Sequence, residues 1–197
     1  MGIFSRLSHK IGDNLVRSNV IKEEDAEIYI YGINQILVSV LNVSSALIIG
    51  LILGMFFESI IYMVAYIPLR SFAGGYHAKT PIRCYFASLI IMFMILLFCK
   101  YVSFNLFLYS GILVISLLAC AFLCPVQDNN KPLDSIERQR YRKISVVILF
   151  VELCVWIIIA FVIHKYVQII PISIFTEAMM IIIGRAKNNL IERSNNN

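Results

Sequence analysis

Long runs of apolar residues set the strongest limit on what this chain can fold into. Six of them lie at 28–57, 59–69, 85–99, 101–124, 144–163 and 166–183. Hydrophobic residues make up 59% of the 197 residues and charged residues only 15%, which is more apolar surface than a core of this size can bury. The sequence therefore predicts an all-α polytopic membrane protein with about six transmembrane helices. Because a span needs about 20 residues, the second and third runs are short enough to be partly re-entrant.

The first 27 residues form a separate amphipathic segment. Apolar side chains recur at helical spacing from Ile3 to Ile21, and polar residues such as Arg6 and Lys10 fall between them. This pattern predicts an N-terminal helix that lies in the membrane surface, with docking of a partner peptide as the alternative use of its apolar face. We expect residues 28–184 to form the transmembrane domain and residues 185–197 to form a cytoplasmic tail.

The basic residues sort to one side of the predicted bundle. Of the seventeen, four precede residue 28, three lie in the predicted loop 70–84, five lie in the predicted loop 125–143, and three follow residue 183. Six crossings place all four groups on the same side, which the positive-inside rule makes the cytoplasm. We therefore expect a multi-pass protein of the cell membrane with both termini and the loop 70–84 in the cytoplasm. Because the charges flank apolar runs, nucleic-acid binding is not expected, despite a net charge of +5.

Polar residues inside the apolar runs need a partner or a function, because hydrocarbon does not solvate them. In the first run we expect them to pair across helices; they are Asn34, Gln35, Asn42, Ser44 and Ser45. Gln35 lies near the inner end of this run, so it could instead reach the loop 70–84. Glu152 is about midway through the fifth run, where it is either protonated and hydrogen-bonded or faces a polar cavity.

The polar interruption at 70–88 holds the side chains best suited to chemistry. It reads RSFAGGYHAKTPIRCYFAS. The pair Thr80-Pro81 predicts the start of a helix, and the glycine pair before it prevents the preceding helix from simply continuing. Cys84 is therefore expected in the first turn or so of a helix, and His77 in the loop just before that helix.

The spacing of His77 and Cys84 permits a catalytic pair. Seven residues of unbroken helix would separate them by about 10.5 Å, but the glycine pair and the new helix start let the loop fold back. A helix N-terminus and the neighbouring basic residues favour a thiolate, and a thiolate paired with an imidazolium is the nucleophile of cysteine acyl transfer. Ser88, one turn beyond Cys84, is either a donor to an oxyanion or backbone group, or a small residue at a helix contact.

Two other interpretations apply to the same residues. The cysteine and the histidine could be incidental. A zinc site would need two more ligands, and His9 is predicted on the surface helix while His164 is predicted on the far side of the membrane. We therefore expect no metal and no cofactor.

The stretch RSFAGGYHAKTPIRC resembles the signature of the accessory gene regulator B (AgrB) family of Gram-positive bacteria. The chain size, the N-terminal helix and the six apolar segments are similar as well, and CPVQDNNKPL at 124–133 resembles that family's second cytoplasmic loop. The resemblance implies a membrane-embedded cysteine endopeptidase of quorum sensing. Cys84 would be its nucleophile and His77 its general base and acid. Arg70 and Gly75 match family positions needed for activity or loop shape.

The resemblance also implies a substrate, an AgrD-type precursor peptide with an amphipathic leader, a signal segment and an acidic tail. Loss of the tail would leave the signal as a thioester on the enzyme, and a cysteine of the substrate would close it into a thiolactone. Candidates for binding the acidic tail are Lys131, Arg138 and Arg140, whose alternative role is topology and contact with lipid headgroups. Membrane lipids are the other expected partners, and a homodimer is compatible with so small a protein.

A second class of function stays open from the residues. The polar side chains of Glu152 and Asn42 inside apolar runs are also compatible with a non-enzymatic transporter or exporter of a signal peptide.

Overall fold

The computed structural model describes residues 3–76, 80–127 and 134–195, and within these ranges the chain forms helices joined by short connections without a β-strand. The predicted all-α fold is confirmed. In chain order the elements are α1 (Ile3–Arg17), a 3-10 turn (Glu23–Asp25), α2 (Ala26–Leu53), α3 (Phe56–Ala73), α4 (Pro81–Tyr101), α5 (Leu106–Leu123), α6 (Ser135–Ile158) with a π-helical turn (Ile159–Ile163), and α7 (Ile169–Asn195).

Helices α2 to α7 are each long and apolar enough to cross a membrane. The two short predicted runs belong to unbroken helices, since α3 has 18 residues and α4 has 21. Both come close to the length of about 20 residues that a span needs, which favours crossing over a re-entrant arrangement. Large apolar side chains point outward, such as Phe107 at 85% exposed and Phe161 at 77%. A surface of this kind suits a lipid environment, and the chain is a multi-pass membrane protein.

Local capping signals set where several helices begin. The Asn105 side chain accepts a hydrogen bond from the backbone N–H of Leu108 at 2.9 Å, which caps α5. Asp134 and Glu137 form a capping box at the start of α6. The segment 125–143, predicted as a loop, is therefore helical from Ser135 onward. Its arginines lie on the first turns of α6, because a capped helix extends through polar residues outside the apolar run.

The other predicted loop, 70–84, is also shorter than expected. Helix α3 continues through Arg70 to Ala73, and α4 already begins at Pro81. The connection between them therefore spans residues 74–80. The predicted tail 185–197 is likewise helical through Asn195, as the end of α7.

Helix α1 packs along the first turns of α2. Gly12 is buried, and a Cβ atom at this position would overlap the side chain of Ile30 on α2. Ser8 is buried on the same face of α1, whereas Leu7 is 41% exposed. Small residues thus let the two helices approach closely. The location of α1 in the membrane surface stays a prediction.

Helix α7 is the most enclosed helix of the bundle. In its most apolar window 61% of the residues are buried, against 11–33% in the other five spanning helices. It packs mainly against α3 and α5. Ile174 and Ile181 are fully buried there, in a cluster with Leu69 of α3 and Cys120 of α5. Helix α7 therefore forms the wall behind the end of α3, where the candidate site begins.

Candidate active site

Cys84 lies in the first turn of α4, where the sequence predicts it. The backbone N–H of Arg83 donates to the Thr80 hydroxyl at 3.4 Å, and Pro81 occupies the first helical position. The backbone N–H of Cys84 donates to the carbonyl of Thr80 at 3.1 Å. The thiol is free and partly exposed. A cysteine in this place is available both to a substrate and to the partial positive charge of the helix terminus.

The start of α4 is anchored to α2. The hydroxyl groups of Tyr85 and Ser45 lie 2.8 Å apart and share a hydrogen bond. Ser88 is exposed, and its hydroxyl donates to the carbonyl of Cys84 at 2.9 Å. This is the usual intrahelical bond of a serine side chain, and the roles expected for Ser88 stay predictions.

The glycine pair after α3 turns the chain toward α7. Gly75 has φ of +119°, a conformation that residues with a side chain rarely adopt. Its N–H donates to the carbonyl of Val126 at 3.3 Å, and the N–H of Tyr76 donates to the carbonyl of Met180 on α7 at 2.9 Å. A Cβ atom on Gly75 would overlap the guanidinium of Arg70. This position therefore requires glycine for its backbone as well as for space.

Arg70, in the last turn of α3, joins this segment to α7. Its guanidinium donates to the carbonyls of Gly74 and Tyr76. The same group faces the carboxylate of Glu177, with 3.7 Å between Nη1 and Oε1. The sequence pointed to Arg70 as one of the positive charges near Cys84 and through the family resemblance, but it did not single out Glu177.

The connection after α5 supports the glycine segment from the other side. Val126 pairs with Gly74 in an isolated parallel bridge. The backbone carbonyl of Gln127 accepts from the side-chain amide of Asn188 on α7 at 2.7 Å. Its side-chain oxygen accepts from Arg138 on α6 at 3.1 Å. Arg138, a candidate for substrate binding, thus also has a structural contact.

The other predicted site residues are His77, Lys131, Gln35 and Arg140. His77 and Lys131 lie outside the described residues. Gln35 is exposed on α2 and precedes Ser45, which contacts the start of α4, by ten residues or about 15 Å along the helix. A contact between Gln35 and the loop 70–84 stays a prediction. Arg140 is exposed on the first turns of α6.

The polar residues of the apolar runs differ in their partners. Ser45 pairs across helices as expected, but the amide of Asn42 donates to the carbonyl of Val38 in its own helix at 3.1 Å. Glu152 is 7% exposed, and neither of its carboxylate oxygens has a hydrogen-bond partner within the described residues. The structure thus places Glu152 in the bundle interior rather than against lipid.

Fold and site together define a class: a polytopic helical membrane protein with a free cysteine at a capped helix start, preceded in the chain by a glycine segment that is held by Arg70, which pairs with the buried Glu177. The family model described as "Accessory gene regulator B" matches residues 6–183. The chain therefore belongs to the AgrB family of the accessory gene regulator quorum-sensing system. The resemblance seen in the sequence is confirmed.

Several curated relatives from Clostridium perfringens are similar to the chain. AgrB-like protein 1 of strain 13 is 33% identical over 89 residues, which cover 45% of this chain and 48% of that protein. An AgrB-like protein of strain SM101 is 25% identical over 159 residues, covering 75% of this chain and 72% of that protein. AgrB-like protein 2 of strain 13 is 26% identical over 158 residues, covering 74% and 72%. No solved structure matches the chain.

Proposed function

We propose that this protein is a membrane-embedded cysteine endopeptidase that removes the C-terminal tail of an AgrD-type autoinducer precursor. The observation that carries the proposal is the position of Cys84. Its thiol is free and partly exposed in the capped first turn of α4. Arg70, whose guanidinium donates to the carbonyl of Tyr76, holds the segment that leads into His77. Membership of the AgrB family supports the same conclusion.

The first half-reaction transfers the signal segment to the enzyme. The Cys84 thiolate attacks the carbonyl carbon between signal and tail, and a C–S bond forms as the carbonyl π electrons move to oxygen. The tetrahedral intermediate collapses, the C–N bond breaks, and the His77 imidazolium donates its proton to the leaving amine. The tail leaves with a new N-terminus, and the signal remains as a thioester on Cys84.

The second half-reaction releases the signal. A cysteine thiol of the substrate attacks the thioester carbonyl while neutral His77 accepts its proton, and Cys84 leaves as a thiolate. One thioester replaces another, so the exchange is close to balanced and needs no separate energy source. The product is a thiolactone ring, and the enzyme returns to its starting charge state.

The substrate would reach this site from the cytoplasm. The positive-inside rule places the start of α4 on that side, together with the basic first turns of α6. Arg138 and Arg140 are exposed there, as an acidic tail requires, and we assign Lys131 the same role. The apolar side of α1 and the membrane surface suit an amphipathic leader.

The test is cleavage of a precursor by enzyme variants in liposomes, followed by mass spectrometry of the peptides. Cys84→Ala and His77→Ala should each abolish cleavage. The matched controls are Cys154→Ala and His164→Ala, which remove an exposed cysteine and an exposed histidine elsewhere. These controls should cleave at the wild-type rate. Continued cleavage by either dyad variant would show that the proposed dyad is wrong.

A signal-peptide exporter is the second candidate, and Glu152 is the observation that favours it. A buried carboxyl group without a hydrogen-bond partner is costly inside a membrane and is often functional. Transport is separable from cleavage. Vesicles containing Cys84→Ala would still move a preformed signal peptide if the protein is an exporter, and Glu152→Gln would reduce that movement without changing cleavage. Absence of movement in wild-type vesicles would eliminate this candidate.

A further inference from the structure

A buried carboxylate on α7 lies behind the candidate site. Glu177 is 0% exposed, and Arg70 is its ion-pair partner at 3.7 Å. Neither carboxylate oxygen accepts a hydrogen bond within the described residues. A charge in such a place is costly unless it is paired, so Glu177 and Arg70 depend on each other.

The other contacts of Arg70 are directed at the backbone that leads into the proposed dyad. Its guanidinium donates to the carbonyls of Gly74 and Tyr76, one on each side of Gly75. Tyr76 immediately precedes His77 in the sequence. Since a guanidinium presents its donors in a rigid planar fork, its orientation decides where both carbonyls lie. The Glu177 carboxylate lies beside Nη1, the nitrogen that also donates to Gly74.

Residues on one face of α7 also contact Tyr76. Met180 accepts the N–H of Tyr76 at 2.9 Å, and Lys187 lies over the Tyr76 ring at 5.2 Å. Glu177, Met180 and Lys187 are three and seven residues apart, so they share one side of the helix. Tyr76 is thus held by its N–H, its ring and, through Arg70, its carbonyl.

We propose that Glu177 is the positioning residue of the site, acting through Arg70 to fix the segment from Gly74 to Tyr76 and so the approach of His77 to Cys84. This inference rests on the proposed function and deepens it. The negative charge is the essential property, because a glutamine of the same shape would leave the partly buried Arg70 cation without its counter-ion. Glu177 does not touch the reacting atoms and is not a catalytic residue.

The test compares Glu177→Gln and Glu177→Asp with a matched control, Glu152→Gln, in the full-length protein in liposomes. Glu152 is also a buried carboxyl group, but no ion pair to it occurs within the described residues. Glu177→Gln should lower kcat for precursor cleavage by about tenfold or more and leave KM within about twofold, because the substrate still binds while the dyad is misplaced. Glu177→Asp should recover part of kcat, and Glu152→Gln should cleave at the wild-type rate.

A second readout separates positioning from simple support of the fold. Iodoacetamide labelling of Cys84 across a pH series reports how readily the thiolate forms. In Glu177→Gln the pH dependence of Cys84 labelling should match that of His77→Ala. In Glu152→Gln it should match that of the wild type. The double variant Arg70→Gln/Glu177→Gln should cleave the precursor no more slowly than Arg70→Gln alone, because both substitutions break the same ion pair.

Three outcomes would overturn the inference. They are a wild-type kcat in Glu177→Gln, an unchanged Cys84 labelling profile, and additive losses in the double variant. If Glu177→Gln does not fold, Glu177→Asp provides the test. Its shorter carboxylate should lower kcat without changing KM, and a wild-type kcat would overturn the inference. Failure of the proposed function is distinguishable, because Cys84→Ala would then still cleave. If Cys84→Ala is inactive while Glu177→Gln keeps its kcat, only the role of Glu177 is refuted.

Discussion

Gly184→Ala should reduce precursor cleavage by more than its loss of stability explains. A Cβ atom at this position of α7 would lie 2.6 Å from the backbone C of Gly75 and from the backbone N of Tyr76. Ordinary contacts begin near 3.4 Å, so the Gly75–Tyr76 segment must move by about 0.8 Å. A displacement of about 1 Å at a catalytic group costs on the order of 10²-fold in rate, and we expect a loss of that size in kcat.

The expected net loss of stability is about 0–2.5 kcal/mol, because two terms oppose each other. Alanine in a helix interior is favoured over glycine by about 0.5–1 kcal/mol, while overpacking costs about 1–3 kcal/mol. Gly111→Ala is the matched control, since nothing lies within 4 Å of a Cβ atom at Gly111 on α5. Cleavage rates in liposomes and thermal unfolding in detergent are the measurements. A wild-type rate in Gly184→Ala, or an equal loss in Gly111→Ala, would refute this reasoning.

Three further predictions concern the start of α4 and its surroundings. Thr80→Ala removes the cap of α4 and should destabilise the protein by about 1 kcal/mol in thermal unfolding, whereas Thr80→Ser should not. Ser45→Ala and Tyr85→Phe should each cost about 0.6 kcal/mol, and the double variant no more than either, because they break one hydrogen bond. Burial raises the pKa of the Cys124 thiol, so that thiol stays protonated at neutral pH. Iodoacetamide should therefore label Cys84 before Cys124 at pH 7, and labelling of Cys124 should increase as the pH rises. Equal labelling of both thiols at pH 7 would contradict that order.

The sequence predicted the helices better than their ends. Apolar runs locate the part of a helix that lies in hydrocarbon, but a helix continues through polar turns wherever its backbone and side chains find partners. Helix α3 extends through Arg70, which pairs with Glu177 on a helix far away in the sequence. The early start of α6 was readable in advance, since Asp134 and Glu137 have the spacing of a capping box.

In the candidate site, too, the features set by local sequence were predictable and those set by helix packing were not. The place of Cys84 follows from Thr80 and Pro81, which act within one helical turn, and it was predicted correctly. The surroundings of Arg70 depend on how α7 packs against α3, and no local pattern reports that. The sequence did carry a signal for Glu177, because an acidic residue inside an apolar run needs a partner or a function, and the same rule applies to Glu152. Gly184 carried none, since its close approach to the segment before His77 exists only in the packed bundle.

The central claim is that Cys84 carries the signal segment as a thioester. The most direct test is intact-protein mass spectrometry of the enzyme, quenched in acid during turnover of a precursor whose internal cysteine is replaced by alanine. The account predicts a mass increase equal to the precursor without its tail, located on Cys84 and removed by hydroxylamine. It also predicts no such adduct in Cys84→Ala. Cleavage of the precursor without any adduct on Cys84, or with the adduct on another cysteine, would contradict the account.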